Sequence, residues 1–338
     1  MRRLAMITAG LSVCLFAQAH AAEPLDRQLR DWRVVCDNLG NCAAHSNDAE
    51  QSGWGGMLVR RAAGAKGAVE AVLNGGSQVS ADGGLQDMAG WHYEENQYRS
   101  TDARAIDRFI QTIRDAQELE VGSDTADGSD LQTVSLKGLS AALLLIDETQ
   151  ERLDTPSAWI RKGNRAPSGI PGPHTAAVLR PAPLPPTLGK REQGQLLEAA
   201  TRRARADIED CEAGPETPGQ AFALDKAHAL VSVICWRGAY QEGGPLYRTD
   251  RGNPASVERV QLPVPGGVLD DLTFVDFDPA AARLSHFAKG RGIGDCGEAA
   301  SWVYDGREFK LAEYATMPAC TGFLPDDWPV SWTTSGQR

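Results

Sequence analysis

The sequence predicts an α+β chain: an N-terminal unit of antiparallel strands with two helices, then a β-rich unit introduced by a single helix. Three observations carry this expectation. Short apolar–polar alternations bounded by Gly, Asn and Asp recur through both halves, the pattern of half-buried strands. Three other segments repeat their apolar residues at helical spacing. A proline-rich stretch separates the two halves.

In chain order, Trp32, Val34 and Cys36 alternate with polar residues, and Asn38, Gly40 and Asn41 supply turn chemistry before Cys42. This reads as a hairpin. GWGGMLVRR and GAVEAVLNGG read as two more strands, and residues 74–90 as loop. In STDARAIDRFIQTIRDAQEL, Ile106, Phe109, Ile110 and Ile113 fall at i, i+3, i+4 and i+7, with Ser100 or Thr101 placed to cap a helix and Asp102 in its first turn. ELEV and LQTVSL follow as strands, GLSAALLLIDETQERL as a second helix, and AWIRKG from Ala158 as a closing strand. Pro167, Pro171, Pro173, Pro181, Pro183, Pro185 and Pro186 then favour an extended, semi-rigid linker. A third helix runs from Gly189 towards Cys211, and the remainder reads as β, with YDGREF its best hairpin signal. The predicted organisation is a leader over residues 1–22, a domain over 23–165, a linker over 166–189 and a second domain over 190–338.

Arg2 and Arg3, the apolar run Leu4 to Phe16 and the small residues Ala19 and Ala21 form a secretory signal, too short for a stable span. Cleavage is expected after Ala21 or Ala22, and no transmembrane anchor is expected after processing. Loss of two arginines takes Lys plus Arg from 34 to 32 against 45 acids, a net charge of −13. Such a surface repels phosphate backbones, which argues against a nucleic-acid partner. The seven cysteines become six once Cys14 is removed. An even number in an oxidising compartment reads as a disulfide framework. Proximity favours Cys36 with Cys42, Cys211 with Cys235 and Cys296 with Cys320.

Catalytic signatures are absent: the sequence holds no HExxH, GxSxG or SxxK. No CxxC occurs and no cysteine pair sits beside a spaced histidine pair, so no metal site is expected. Gly292 to Gly297 matches GxGxxG by letters, yet AKGR precedes it and strand-like SWVYDG follows, so no dinucleotide or other cofactor is expected. Tryptophans are spread over both halves, and rings of this kind in exported β-proteins often face sugars or peptides. Trp54 and Trp302 are the candidate ligand-facing residues.

Several motifs in order carry a resemblance: DWRVVCDNLGNC (31–42), LLLIDETQERLDTPSAWIRKG (143–163), VICWRGAY (233–240) and GRGIGDCGEAASWVYDGREFKLAEYATMPACTGFLPDDWPVSW (290–332). The chain resembles the exported bacterial family called domain of unknown function 1176. Through WRVVC, IDRFIQTIRDAQELEV and VSLKGLSAALLLID, the N-terminal unit also resembles the invasion-associated locus B family, with Leu139 where a Phe is usual. That second likeness implies association with the cell envelope. Neither family brings a catalytic residue to carry over.

The expected function is that of an exported, disulfide-stabilised, non-enzymatic protein binding an unknown envelope protein or small ligand. The alternative is a hydrolase of cell-wall material using paired carboxylates among Asp295, Glu298 and Asp305, one held at high pKa. Export has a direct check: N-terminal sequencing of the mature protein should begin at Ala22 or Glu23, and a retained Met1 would refute it.

Overall fold

The computed structural model describes residues 23–47, 53–122, 131–214 and 219–335; the expected leader lies outside them. The α+β expectation is corrected. Among the described residues strand makes up 40% and helix 16%, in six antiparallel sheets and three α-helices, so the fold is mostly β. The reason lies in pairing that the local pattern does not announce. Within the stretch read as loop, Gln78–Ala81 pairs with Glu118–Gly122. The helices, at Ala103–Ile113 (α1), Leu139–Thr149 (α2) and Lys190–Asp207 (α3), are lids on sheets rather than layers of their own.

The principal sheet runs β1 (Leu25–Leu29), β2 (Trp32–Cys36), β3 (Cys42–Ser46), β4 (Gly56–Arg61), β5 (Val69–Asn74), then Gln97–Ser100 and His92–Glu94. Successive side chains leave a strand on opposite faces. Met57, Val59, Ala71 and Leu73 point to one face and meet α1 and α2 through Ile106, Ile110, Leu143 and Ile146. Leu58 and Val72 point to the other and meet Met317, Phe323 and Trp328 from the far end of the chain. The sheet is therefore buried on both faces, which explains the near-continuous apolar run of GMLV.

α1 begins where Asp102 accepts the backbone N–H groups of Arg104 and Ala105. α2 carries the one ion pair among the described residues that is fully buried at both ends. Arg61 Nη2 donates to Asp147 Oδ1 at 2.7 Å, with both side chains at 2% exposure or less. Burial pulls the guanidinium down to about 10, so it stays charged at neutral pH. Its other donors reach Gln150 Oε1 and the Ser157 carbonyl, and Asp147 Oδ2 accepts from the Trp159 and Ile160 amides. Those two amides are thus bound to a carboxylate rather than to a neighbouring strand, and the strand expected from Ala158 is a turn instead.

Beyond the proline-rich segment, α3 lays Leu196, Ala200 and Ala204 on a four-stranded sheet ordered Gln220–Ala223, His228–Ser232, Leu246–Asp250, Asn253–Arg259. A five-stranded sheet follows: Asp276–Asp278, Arg283–Lys289, Gly297–Tyr304, Phe309–Met317, Val330–Thr333. Asp305 closes its central hairpin by accepting the Arg307 and Glu308 amides. The proline-rich segment touches both halves: the His174 amide donates to Leu39 and the Ala182 amide to Tyr304. Disulfides join Cys36 to Cys42 across the β2–β3 hairpin, Cys211 to Cys235 and Cys296 to Cys320, with Cα separations of 4.0, 4.4 and 4.7 Å.

His45 on β3 has no exposed surface, and burial lowers its pKa from 6.5 to about 4. The unfolded imidazole binds a proton near pH 6.5 and the folded one only near 4. Stability from this group is therefore complete above about pH 6.5 and is lost as pH falls towards 4, by about 3 kcal/mol in all. Urea unfolding of the wild type and His45→Leu across that range should show the variant losing stability less steeply, and parallel curves would refute the assignment.

Candidate functional site

The second face of the principal sheet is approached by the chain from Cys320 to Trp328. The approach is close because β4 opens with glycine: a Cβ on Gly56 would stand 2.8 Å from the Phe323 ring and 2.9 Å from the Thr321 carbonyl. Phe323 and Trp328 fill the space so left, and the Trp328 indole N–H donates to the Phe323 carbonyl at 2.9 Å.

Polar contacts fix the register of this approach. Asp327, 9% exposed at its side chain, accepts from Arg60 at 3.1 Å and from Arg99 at 2.8 Å. Glu70 on β5 faces the same two arginines at 3.4 and 2.5 Å. Two cations and two anions thus alternate across β4, β5, the Gln97–Ser100 strand and the turn at Pro325–Asp327. Gln97 donates to Asn74, and Asn74 in turn donates to the Thr321 carbonyl.

Beside this network lies a cleft of about 870 Å³, bounded by Trp54, the hairpin turn Glu94 to Gln97, Gln132 and the segment Gly322 to Asp327. Its charged lining is Glu94, Glu95, Asp326 and Asp327 against Arg99 alone. Arg99 is paired with Glu70 and Asp327 and donates to Gln97, so among the described residues the one cation of the lining already faces two carboxylates. Trp54 is 56% exposed in this cleft, and its place there is held from several sides. Its amide donates to Gln132 Oε1 at 3.3 Å. The Arg291 guanidinium stands 5.8 Å from the ring centroid. Gly322, at φ +86°, is so close that a Cβ there would lie 3.3 Å from the ring.

The loop matching GxGxxG supplies that support. It connects the strands Arg283–Lys289 and Gly297–Tyr304, so it opens no helix. Within it Arg291 pairs with Asp295, whose side chain is fully buried, and donates also to the Gly53 and Cys320 carbonyls at 3.4 and 3.2 Å. The Gly322 amide donates to Asp295 Oδ2 at 2.8 Å. Burial pushes the Asp295 carboxyl upward, but these hydrogen bonds outweigh it and hold it below the usual range. Cys296 and Cys320 bracket the arrangement covalently. Their sulfurs and an Asp295 oxygen lie within 4.8 Å of one another, yet the sulfurs are bridged and the carboxylate is committed to Arg291.

The sequence-predicted residues separate here. Trp54 lines the cleft. Trp302 is a correction: it has no exposed surface and its indole N–H donates to the Pro263 carbonyl at 2.7 Å, so it is core and faces no ligand. The three candidate acids do not converge. Asp295 binds Arg291, Glu298 accepts from Tyr314 and meets His286 Nε2 at 3.0 Å, and Asp305 closes its turn. None lines the cleft. Sequence reasoning missed Arg60, Glu70, Arg99 and Asp327. The only local signal is the pair of acids in LPDDW, indistinguishable by sequence from an exposed turn.

Removing the Asp327 carboxylate leaves Arg60 and Arg99 to share Glu70. Because both are about a third exposed and water partly compensates, the expected cost of Asp327→Ala is about 2 kcal/mol, below the range for fully buried pairs. A change under about 0.5 kcal/mol in urea unfolding, the size of an ordinary surface substitution, would show that the network contributes nothing.

Comparison with known proteins agrees with the sequence motifs. The family model described as a protein of unknown function, DUF1176, matches residues 26–335. The chain is 32% identical to the uncharacterized protein YpfG of Escherichia coli strain K12 over 338 residues, covering 93% of this chain and 94% of that one. No solved structure matches. The chain belongs to the DUF1176 family.

Proposed function

We propose that this is an exported, non-enzymatic binding protein whose ligand occupies the cleft between the principal sheet and the Gly322–Asp327 segment. The observation that carries the reading is Trp54. A large aromatic side chain normally contributes most when buried. Here it is fixed by Gly322, Arg291 and Gln132 and still leaves more than half of its surface open to a cavity. The cavity is within the range of about 300–1,000 Å³ that small-molecule sites occupy. Three disulfides support an oxidising compartment, as does the signal-like sequence of residues 1–22. No helix among the described residues is long and apolar enough to cross a membrane. The likeness of the N-terminal unit to invasion-associated locus B proteins adds an envelope setting to the proposal.

The reading is tested by incubating purified, disulfide-intact protein with a small-molecule fraction of envelope extract, followed by desalting and native mass spectrometry. The wild type should retain a discrete added mass and Trp54→Ala should lose it. Trp54 is exposed, so the variant should unfold within about 0.5 kcal/mol of wild type. Retention of the same mass by a folded Trp54→Ala protein, or by neither protein, sinks the assignment.

A further inference from the structure

We propose that the ligand of this cleft is an unphosphorylated glycan segment, a chain of neutral or amino pyranose rings stacked on Trp54. The inference rests on the binding reading above and adds its chemistry. Three observations select it.

The first is the state of the polar lining. Arg99 is paired with Glu70 and Asp327, Gln97 donates to Asn74, and Asn74 donates to the Thr321 carbonyl. Glu95 and Asp326 are exposed at the rim, and Glu94 meets the exposed His92 of its own strand at 3.4 Å. The charged groups left to receive a ligand are carboxylates, set beside the side-chain amides of Asn96 and Gln132, and a ligand that satisfies them is rich in hydroxyl or amine groups. A phosphate or carboxylate would meet Glu94, Glu95 and Asp326, while Arg99 is already paired with two carboxylates.

The second is the ring. An indole face held in place offers a flat apolar platform, and a pyranose presents a matching face of C–H groups with hydroxyls around its edge. Those hydroxyls then point towards walls, where the acceptors stand. A linear organic cation would also suit acids and an aromatic ring, but Arg291 already occupies the cation position over Trp54 at 5.8 Å. A second cation at the ring would be repelled, whereas a C–H face is not.

The third is size. At about 870 Å³ the cleft lies near the upper end of small-molecule sites, which suits several linked rings better than one.

The test titrates the disulfide-intact protein with the tetramer of N-acetylglucosamine, the tetramer of glucosamine, cellotetraose, spermidine and tri-lysine, followed by calorimetry and by two-dimensional amide NMR. At least one glycan tetramer should saturate the protein at millimolar concentration or below, shifting the amides of residues 94–97 and 322–327. Trp54→Ala should weaken that binding roughly ten-fold or more, as loss of an aromatic anchor does. Asp115→Asn, an exposed change outside the cleft, should bind within about three-fold of wild type. Saturation by spermidine or tri-lysine alone overturns the glycan assignment, and so does glycan binding that Trp54→Ala leaves intact. If extract still yields a Trp54-dependent mass while no glycan binds, the ligand class fails and the binding reading stands. If neither is seen, both fail.

Discussion

The Asp327 carboxylate, set between Arg60 and Arg99, is the constraint on which the two-sided burial of the principal sheet depends. A sheet face carrying two arginines cannot be covered by apolar chain unless their charge is met. Glu70 meets part of it from within the sheet, and Asp327 meets the rest from nearly 230 residues away in sequence. Once that carboxylate is placed, the next residue, Trp328, stacks on Phe287 and shares a core with Leu58 and Val72. Farther along, Asn38 and Thr333 exchange two hydrogen bonds, at 3.0 and 2.8 Å, that tie the β2–β3 turn to the last strand.

The same charges shape the cleft. Because Arg99 is paired with Asp327 and Glu70, its charge is largely met within the fold, and the lining keeps the character of its acids. The cleft is thus a by-product of how the seam is neutralised. Its aromatic wall has a separate origin. The Arg291–Asp295 pair and the Cys296–Cys320 bridge hold Gly53 and Gly322 on either side of Trp54. A buried aspartate would ordinarily be costly, but here its oxygens accept from a guanidinium and a backbone amide, so the group is compensated.

Another buried pair, Arg61 with Asp147, shows the same economy of contacts on the helical side. Each oxygen of Asp147 is bound, and the Arg61 guanidinium is also stacked 3.8 Å from the centroid of Trp159. The pair converts the chain after α2 from a strand into a turn by taking its amides. A local apolar pattern can thus be overruled by a carboxylate on the preceding helix, itself held by an arginine from a distant strand.

The sequence by itself determined what depends on near neighbours. The spacing of Ile106, Phe109, Ile110 and Ile113 is enough to make a helix with one apolar face. The five residues between Cys36 and Cys42 are enough to turn a chain back on itself. Asp305 and Gly306 are enough for a hairpin. Only the tertiary structure decided what depends on distant partners. It turned an α+β expectation into a mostly β chain, because strand pairing such as Gln78–Ala81 with Glu118–Gly122 is set by residues about forty positions apart. It separated Trp54 from Trp302, two rings alike in local composition, by covering one and leaving the other open. It also gave Asp327 its role, because a carboxylate becomes part of a site only when the fold brings unneutralised arginines to it.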